Sequence, residues 1–513
     1  MVLVDGRRLT LAEIGAVAEG GSAVSASSDA RIRMARSRAA IDEILKSGEA
    51  VYGVNTGFGK LSDVRIPDAD LAELQHNLLR SHACGVGPPL SRAETRAMLL
   101  LRANVLARGH SGARPEVLDT LVAMLQRGVV PVVPEKGSVG ASGDLAPLAH
   151  LALVAIGEGE AWGPGGERIP GRRAMAEAGI PLLDLKPKEG LALLNGTQAM
   201  VAVGALALRR AWTALRSANR IGAMTLEALK GTPAAFDPRI HDARGHAGQS
   251  WVAADLRTIL EQSEIRESHR SGDPRVQDAY SLRCMPQVHG AVWQALREAT
   301  RIVEAESGAS TDNPLVFADP DSGEAEVLSG GNFHGAPVAL ALDYAAIALT
   351  DLLSISERRV DRLVNPDLNE GLPAFLTHEP GRGSGFMMPH VTMVALLNEA
   401  RGLAHPASVD NAPTSGGKED HVSMGMHAAV KLRRLVENVE LGLAIEALTA
   451  AEGLEYRKPL QPGVGVREAL ATVREHAAAL DADRSLGPDI ERLAEAVRSG
   501  SLVGPVDPPA AGP

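Results

Sequence analysis

In the stretch GSVGASGDLAPLAH, Gly137 to His150, three glycines and two serines fall within seven residues before the chain turns apolar. One reading is a plain loop whose glycines supply positive φ. A phosphate cradle fails on order, because Lys136 precedes the glycines whereas a P-loop ends in Gly-Lys-Ser/Thr. A nucleophile elbow fails because Gly140-Ala141-Ser142-Gly143-Asp144 ends in Asp where that motif requires glycine. The third reading is chemical: the Gly143 amide nitrogen attacks the Ala141 carbonyl and closes a five-membered ring. Neither the missing Cβ of glycine nor the small methyl of alanine obstructs that approach. Loss of water, including the Ser142 hydroxyl, leaves an exocyclic methylidene. This electrophile takes the electron-sink role that a cofactor normally fills. On the tripeptide alone, the loop reading and the chemical reading both stand.

Other residues carry similar pairs of readings. Tyr52, in VYGVNTGFG among Gly53, Gly57 and Gly59, is either a packing residue with a satisfied hydroxyl or a group on a glycine-hinged loop that closes over substrate. Arg283, in YSLRC, is either an ordinary ion-pair arginine or a planar fork for a substrate carboxylate. Asn195-Gly196, in LLNGTQ, is a credible turn pair as well as a candidate polar contact. His150, His334, His405 and His421 lack the spacing of a zinc site, so no catalytic metal is expected.

These residues need elements to position them. The start VLV-Asp5-Gly6-RRLTL predicts a short hairpin, and Thr10 with Glu13 has capping-box spacing for a first helix. Ser91 and Glu94 repeat that signal ahead of MLLLRANVLA, which Gly109 stops; the next helix opens at Pro115 and closes near Gly128. Beyond Asn195 three long helical patterns follow: TQAMVAVGALALRRAWTALRSANRIGAMTLEALK, APVALALDYAAIALTDLLSISERRVDRL and HVSMGMHAAVKLRRLVENVELGLAIEALTAAEGL. Their apolarity around much of the circumference predicts a buried bundle and an oligomer. The expected organisation is a mainly α protein with an N-terminal domain over 1–190, a long-helix bundle over 191–503 and a disordered tail from Gly504.

Bulk composition narrows the classes. A net charge of -11 argues against nucleic acid or an anionic membrane as the main partner. Cys84 and Cys284 cannot make a disulfide framework, which suits a reducing cytoplasm. The N-terminal residues show no export signal, and no run is read as long and apolar enough, without charges, to span a bilayer.

Taken with VYGVNTGFG, LLRSHACGVG, KEGLALLNGTQ, QDAYSLRCMPQ, TDNPLVF, SGGNFHGAPVA and KEDHVSMG, the glycine loop resembles the signature of the aromatic amino acid ammonia-lyase and aminomutase family. The likeness runs nearly end to end, in family order. It implies an aspartase/fumarase-like long-helix homotetramer whose active sites are shared between subunits. It also implies 4-methylidene-imidazol-5-one made from Ala141-Ser142-Gly143, with no external cofactor. Tyr52 matches the family's base and Arg283 its carboxylate grip. Tyr280 and Asn195 match residues that hydrogen-bond the prosthetic ring or the amino group, and Gln277 and Phe333 match residues lining the ring. His82 followed by Ala83 resembles the branch acting on histidine, where the phenylalanine and tyrosine branches typically carry Phe-Leu or His-Leu. Glu419 stands where those branches typically have glutamine. A carboxylate there accepts a hydrogen bond from an imidazole, whereas a phenyl ring leaves it desolvated and unpaired. The resemblance therefore implies elimination of ammonia from L-histidine to give trans-urocanate, the opening step of histidine degradation. A tyrosine or phenylalanine lyase or an aminomutase is the alternative. Lys418, where glutamine is common, either pairs with Glu419 or faces solvent, and His390 also replaces a frequent glutamine.

Overall fold

A computed structural model of the chain describes residues 1–47, 50–57, 64–319, 321–322 and 324–509. The described residues are mainly helical, as expected. They form two compact units: residues 1–207, 300–343 and 406–430 make the first, and 208–299, 344–405 and 431–513 the second. This differs from the contiguous division expected near residue 190. The long helices Gln198–Ala228, Met285–Ser307, Ala336–Val364 and Gly425–Glu455 each have residues in both units, so four of the five boundaries fall within helices; the fifth, between His405 and Pro406, falls in a loop.

In the first unit the capping boxes form as the spacing predicts. Glu13 N donates to Thr10 Oγ1 at 3.2 Å while the Glu13 carboxylate takes the Thr10 N–H, and Ser91 and Glu94 repeat the pattern. Helix Arg92–Ala107 is buried over nearly its whole length and packs against Leu11–Ala18 and Pro115–Gln126. Each fully buried leucine there, Leu99 and Leu100 among them, contributes about 1.5–3 kcal/mol of transfer free energy. Among the described residues the strands form four two-stranded sheets, which act as clips between helices.

The expected N-terminal hairpin does not form. Val2–Val4 pairs in parallel with Val24–Ala26, across the intervening helix. Asp5-Gly6 does turn, with Gly6 at φ 86, but Gly6 N is taken by Asn104 Oδ1 and Leu9 N by Ser307 Oγ. Long-range acceptors thus draw the chain away from its local partner.

The second unit holds a buried polar network among its helices. Arg359 and Glu446, both fully buried, share two hydrogen bonds at 2.5 and 2.9 Å, and Thr225 Oγ1 donates to Glu446 at 2.8 Å. Beside them His289 is held by Asn219 Oδ1 at 2.8 Å, and burial, aided by the Arg359 charge, pushes its imidazole well below the usual range.

Two further expectations need correction. Residues 504–507 of the expected tail are tied down, with Trp251 Nε1 donating to Val506 O at 3.0 Å, Val506 N to Asp255 Oδ1, and Arg216 paired with Asp507, while residues 510–513 lie outside the described residues. Helix Ala336–Val364 contains an 18-residue window of mean hydropathy 1.7, long and apolar enough by composition to cross a bilayer. Of that window 61% is buried inside the protein, so its apolarity serves packing.

Candidate active site

Residues Gly137–Asp144 connect strand Pro134–Lys136 to helix Leu145–Ala155. Gly140 and Gly143 both take the left-handed conformation, at φ 67 and 77. At Gly143 glycine is required twice over. A Cβ there would overlap the Gly196 carbonyl oxygen and lie 2.5 Å from its carbonyl carbon. The same carbonyl accepts the Asp144 N–H at 2.7 Å. From another side Met424 N donates to Val139 O at 2.9 Å and Ser423 Oγ to Gly140 O at 3.3 Å. The loop is therefore clamped by two separate segments of the first unit. It also lies just ahead of a helix N-terminus, whose dipole polarises nearby carbonyls toward attack.

Asp144 anchors the end of the clamp. Its buried carboxylate accepts Ser138 Oγ at 2.8 Å and Met200 N, in the first turn of Gln198–Ala228, at 2.8 Å. Burial pushes its pKa up to about 6, opposed by those donors.

Ser142 opens onto a cavity of ≈ 540 Å³ in the first unit, lined also by Tyr52, His82, Asn195 and Glu419 among several leucines. Ser142 Oγ donates to Glu419 Oε1 at 2.9 Å, and Thr414 Oγ1 donates to Glu419 Oε2 at 2.7 Å. The Thr414–Glu419 turn is closed by Thr414 N to Glu419 O at 2.9 Å. Lys418 is exposed, and no ion pair of the described residues involves it, so it does not neutralise Glu419.

His82 ends helix Leu71–His82, and its Nδ1 lies 2.8 Å from Leu78 O. A carbonyl only accepts, so Nδ1 carries the proton and Nε2 is left as an acceptor. Asn195, 3% exposed, donates Nδ2 to Asn313 O at 3.4 Å, while its Oδ1 has no partner. The Asn313 carbonyl fixes which end of that amide is which. Tyr52 is carried on a turn seated against Leu191 and Pro314: a Cβ at Gly53 would lie 2.8 and 2.9 Å from those side chains. Gly57 lines the cavity, and Gly59 lies outside the described residues.

One supporting residue escaped the sequence reading. Arg102, in the MLLLRANVLA face, is fully buried and donates to Ala192 O and Asn195 O, both at 3.0 Å. A Cβ at Gly196 would lie 2.7 Å from its Nη2, so it packs directly under the turn that touches Gly143. Burial pushes its pKa down to about 10. A lone arginine inside an apolar helical run was the available signal.

The structure does not bring every expected residue to this cavity. Phe333 is half-buried and is not among its lining residues. Gln277, Tyr280 and Arg283 belong to the second unit. There Gln277 is exposed, Tyr280 is 71% exposed, and the Arg283 guanidinium sits 4.6 Å from the Tyr280 ring centroid. No carboxylate of the described residues pairs with Arg283, whose Nε is buried without a partner. His390, also in the second unit, is taken by Glu357 at 2.9 Å.

The cavity thus has an imidazole, a carboxylate and an amide in its lining: His82, Glu419 and Asn195. Such a set suits a molecule rich in N–H donors, such as an ammonium joined to an imidazole.

Comparison with known proteins agrees in scale. The family model described as aromatic amino acid lyase matches residues 9–475. A histidine ammonia-lyase of Anaeromyxobacter sp. (strain K) is 56% identical, covering 98% of this chain and 99% of that protein. One from Myxococcus xanthus (strain DK1622) is 54% identical, with 98% of each covered. Among solved structures, histidine ammonia-lyase from Trypanosoma cruzi superposes with a TM-score of 0.89 at 42% identity, covering 98% of this chain and 94% of that one. A tyrosine aminomutase from Streptomyces globisporus gives 0.92 at 36% identity, with 98% and 97% covered.

Proposed function

Because the chain belongs to the aromatic amino acid lyase family, we propose that it eliminates ammonia from L-histidine to give trans-urocanate, opening histidine degradation. The observation that carries this reading is the pairing of a tautomer-fixed His82 with Glu419 on the cavity that contains Ser142.

The Ala141-Ser142-Gly143 loop fits a 4-methylidene-imidazol-5-one, since Gly143 has no room for a Cβ and the loop is clamped from two sides. That group supplies an electrophile that turns the substrate amine into a better leaving group. The protein's own side chains do the rest. His82 Nε2 and the Glu419 carboxylate accept the imidazole N–H groups, and conversion of Ser142 removes the hydroxyl that otherwise occupies Glu419 Oε1. Asn195 Oδ1 accepts from the substrate ammonium. Tyr52, as phenolate, takes the β-proton, the step that needs a positioned base.

Arg283 grips the substrate carboxylate, and Tyr280, Gln277 and Phe333 line the prosthetic ring. Within one chain Gln277 and Tyr280 are exposed, as is the apolar stripe Met387, Val391 and Val394 on helix Met387–Leu403. Both features support a homotetramer with shared sites. The unpaired Cys84 and Cys284 support a cytoplasmic enzyme. The test is a substrate panel on the purified protein, following urocanate from L-histidine and the corresponding acrylates from L-tyrosine and L-phenylalanine. Urocanate as the main product is expected; turnover of tyrosine with none of histidine would overturn the substrate assignment.

A further inference from the structure

The last residue of the glycine-loop stretch, His150, has no part in the chemistry above, yet it is wired to the substrate side of the cavity. It lies on helix Leu145–Ala155, which begins directly after the Ala141–Gly143 loop, and Leu145 of that helix lines the cavity. Its Nε2 accepts the Gly85 N–H at 3.0 Å. An amide N–H only donates, so Nε2 must be unprotonated, and burial favours that neutral ring by pushing the pKa down.

Gly85 follows His82 by three residues, in the turn that leaves helix Leu71–His82. Within the turn the other bonds are local, Ala83 N to Leu79 O at 3.1 Å and Cys84 N to His82 O at 2.9 Å, and directly after Gly85 strand Val86–Pro89 pairs with Pro134–Lys136. A Cβ at Gly85 would sit 3.2 Å from His150 Nε2 and 3.2 Å from Lys136 O, and one at Gly137 would sit 3.0 Å from Gly85 Cα. The turn is thus seated on both ends of the Gly137–His150 stretch, and among the described residues His150 gives residues 83–85 their one side-chain hydrogen bond.

We infer that His150 is a positioning residue: through Gly85 it fixes the turn after His82, and so sets His82 relative to the loop that carries Ser142. The inference rests on the histidine reading of the cavity. Without the acceptor, the Gly85 N–H is left half-buried and unpaired, and the turn shifts toward water to satisfy it. His82 moves with the turn, while the Ala141–Gly143 loop, clamped by Gly196 and Met424, does not.

The experiment compares His150→Leu and His150→Gln with the unmodified chain. Glutamine keeps an acceptor oxygen; leucine keeps bulk and loses it. His150→Leu is expected to raise KM for L-histidine about ten-fold, the scale of one unsatisfied buried donor, with kcat changed far less. His150→Gln restores KM. Intact mass of both variants still shows loss of two waters, because the loop clamp is untouched. An unchanged KM in His150→Leu, or a glutamine variant no better than leucine, would overturn the inference. Failure of the unmodified chain to turn over histidine at all would instead overturn the functional reading. A leucine variant that loses the mass change as well would show that His150 serves the loop, and would also count against the inference.

Discussion

Gly143→Ala tests the link between backbone geometry and self-modification most sharply. Gly143 sits at φ 77, where an L-residue costs about 1–2 kcal/mol relative to a right-handed conformation. The new methyl carbon also meets the Gly196 backbone, 2.5 Å from its carbonyl carbon and 2.8 Å from its Cα. Backbone held by the buried Arg102 and Thr311 cannot step aside as a flexible side chain would. The loop must instead move off Gly196, giving up the Asp144 N–H to Gly196 O bond of 2.7 Å, a net loss of about 1 kcal/mol. Together these terms come to about 3 kcal/mol, lowering the population of the ring-closing geometry on the order of a hundredfold. The methyl further crowds the nitrogen that must attack. The assay is intact mass of freshly purified protein, alongside a far-ultraviolet check that helix content is kept. The expected result is a folded chain that retains both waters and makes no urocanate. A Gly143→Ala chain with a fully dehydrated loop and ordinary activity would refute the reasoning.

Three further outcomes follow from named contacts. Glu419→Gln keeps an acceptor for Thr414 but removes the charge, so kcat/KM for L-histidine is expected to fall about 10- to 100-fold while the loop mass is unchanged; an unaltered kcat/KM would contradict the role given to Glu419. His82→Leu removes the fixed Nε2 acceptor and should improve the ratio of phenylalanine or tyrosine turnover to histidine turnover; a ratio that stays put would contradict the placing of specificity there. Far from the cavity, Glu227 is 2% exposed and burial pushes its carboxyl from 4.5 up to about 7, against the help of Ser263 and the Gly463 N–H. The folded state thus holds a proton that the unfolded chain has released, and the associated stability, about 3 kcal/mol, is full below pH 4.5 and lost as pH rises through about 7. Glu227→Gln should therefore flatten the fall of Tm between pH 5 and 8, and parallel curves would count against this.

Local signals in the sequence were legible where local forces decide. Both capping boxes, Pro115 at a helix start and the three long apolar patterns all form elements close to the expected residues, because caps and helical periodicity act within a few residues. The parallel pairing of Val2–Val4 was not legible, since its partner strand and the acceptors Asn104 and Ser307 lie far along the chain. The same holds for the division into units, whose boundaries fall mostly within long helices, and for the tail segment tied down by Trp251 and Asp255. At the site, the motif residues Tyr52, His82, Ser142, Asn195 and Glu419 do converge on one cavity. What motifs could not give is the support beneath them: Arg102 under the Asn195 turn, and the Leu78 carbonyl that fixes the His82 tautomer.

The most direct test of the central claim is urocanate formation, followed by ultraviolet absorbance, in the unmodified chain and in Ser142→Ala measured side by side with L-histidine. The account requires steady urocanate formation by the first and none by the second, since alanine has no hydroxyl to lose and no methylidene forms. Comparable urocanate from the Ser142→Ala chain would contradict it, because the electrophile would then have to arise without the serine of the Ala141-Ser142-Gly143 loop.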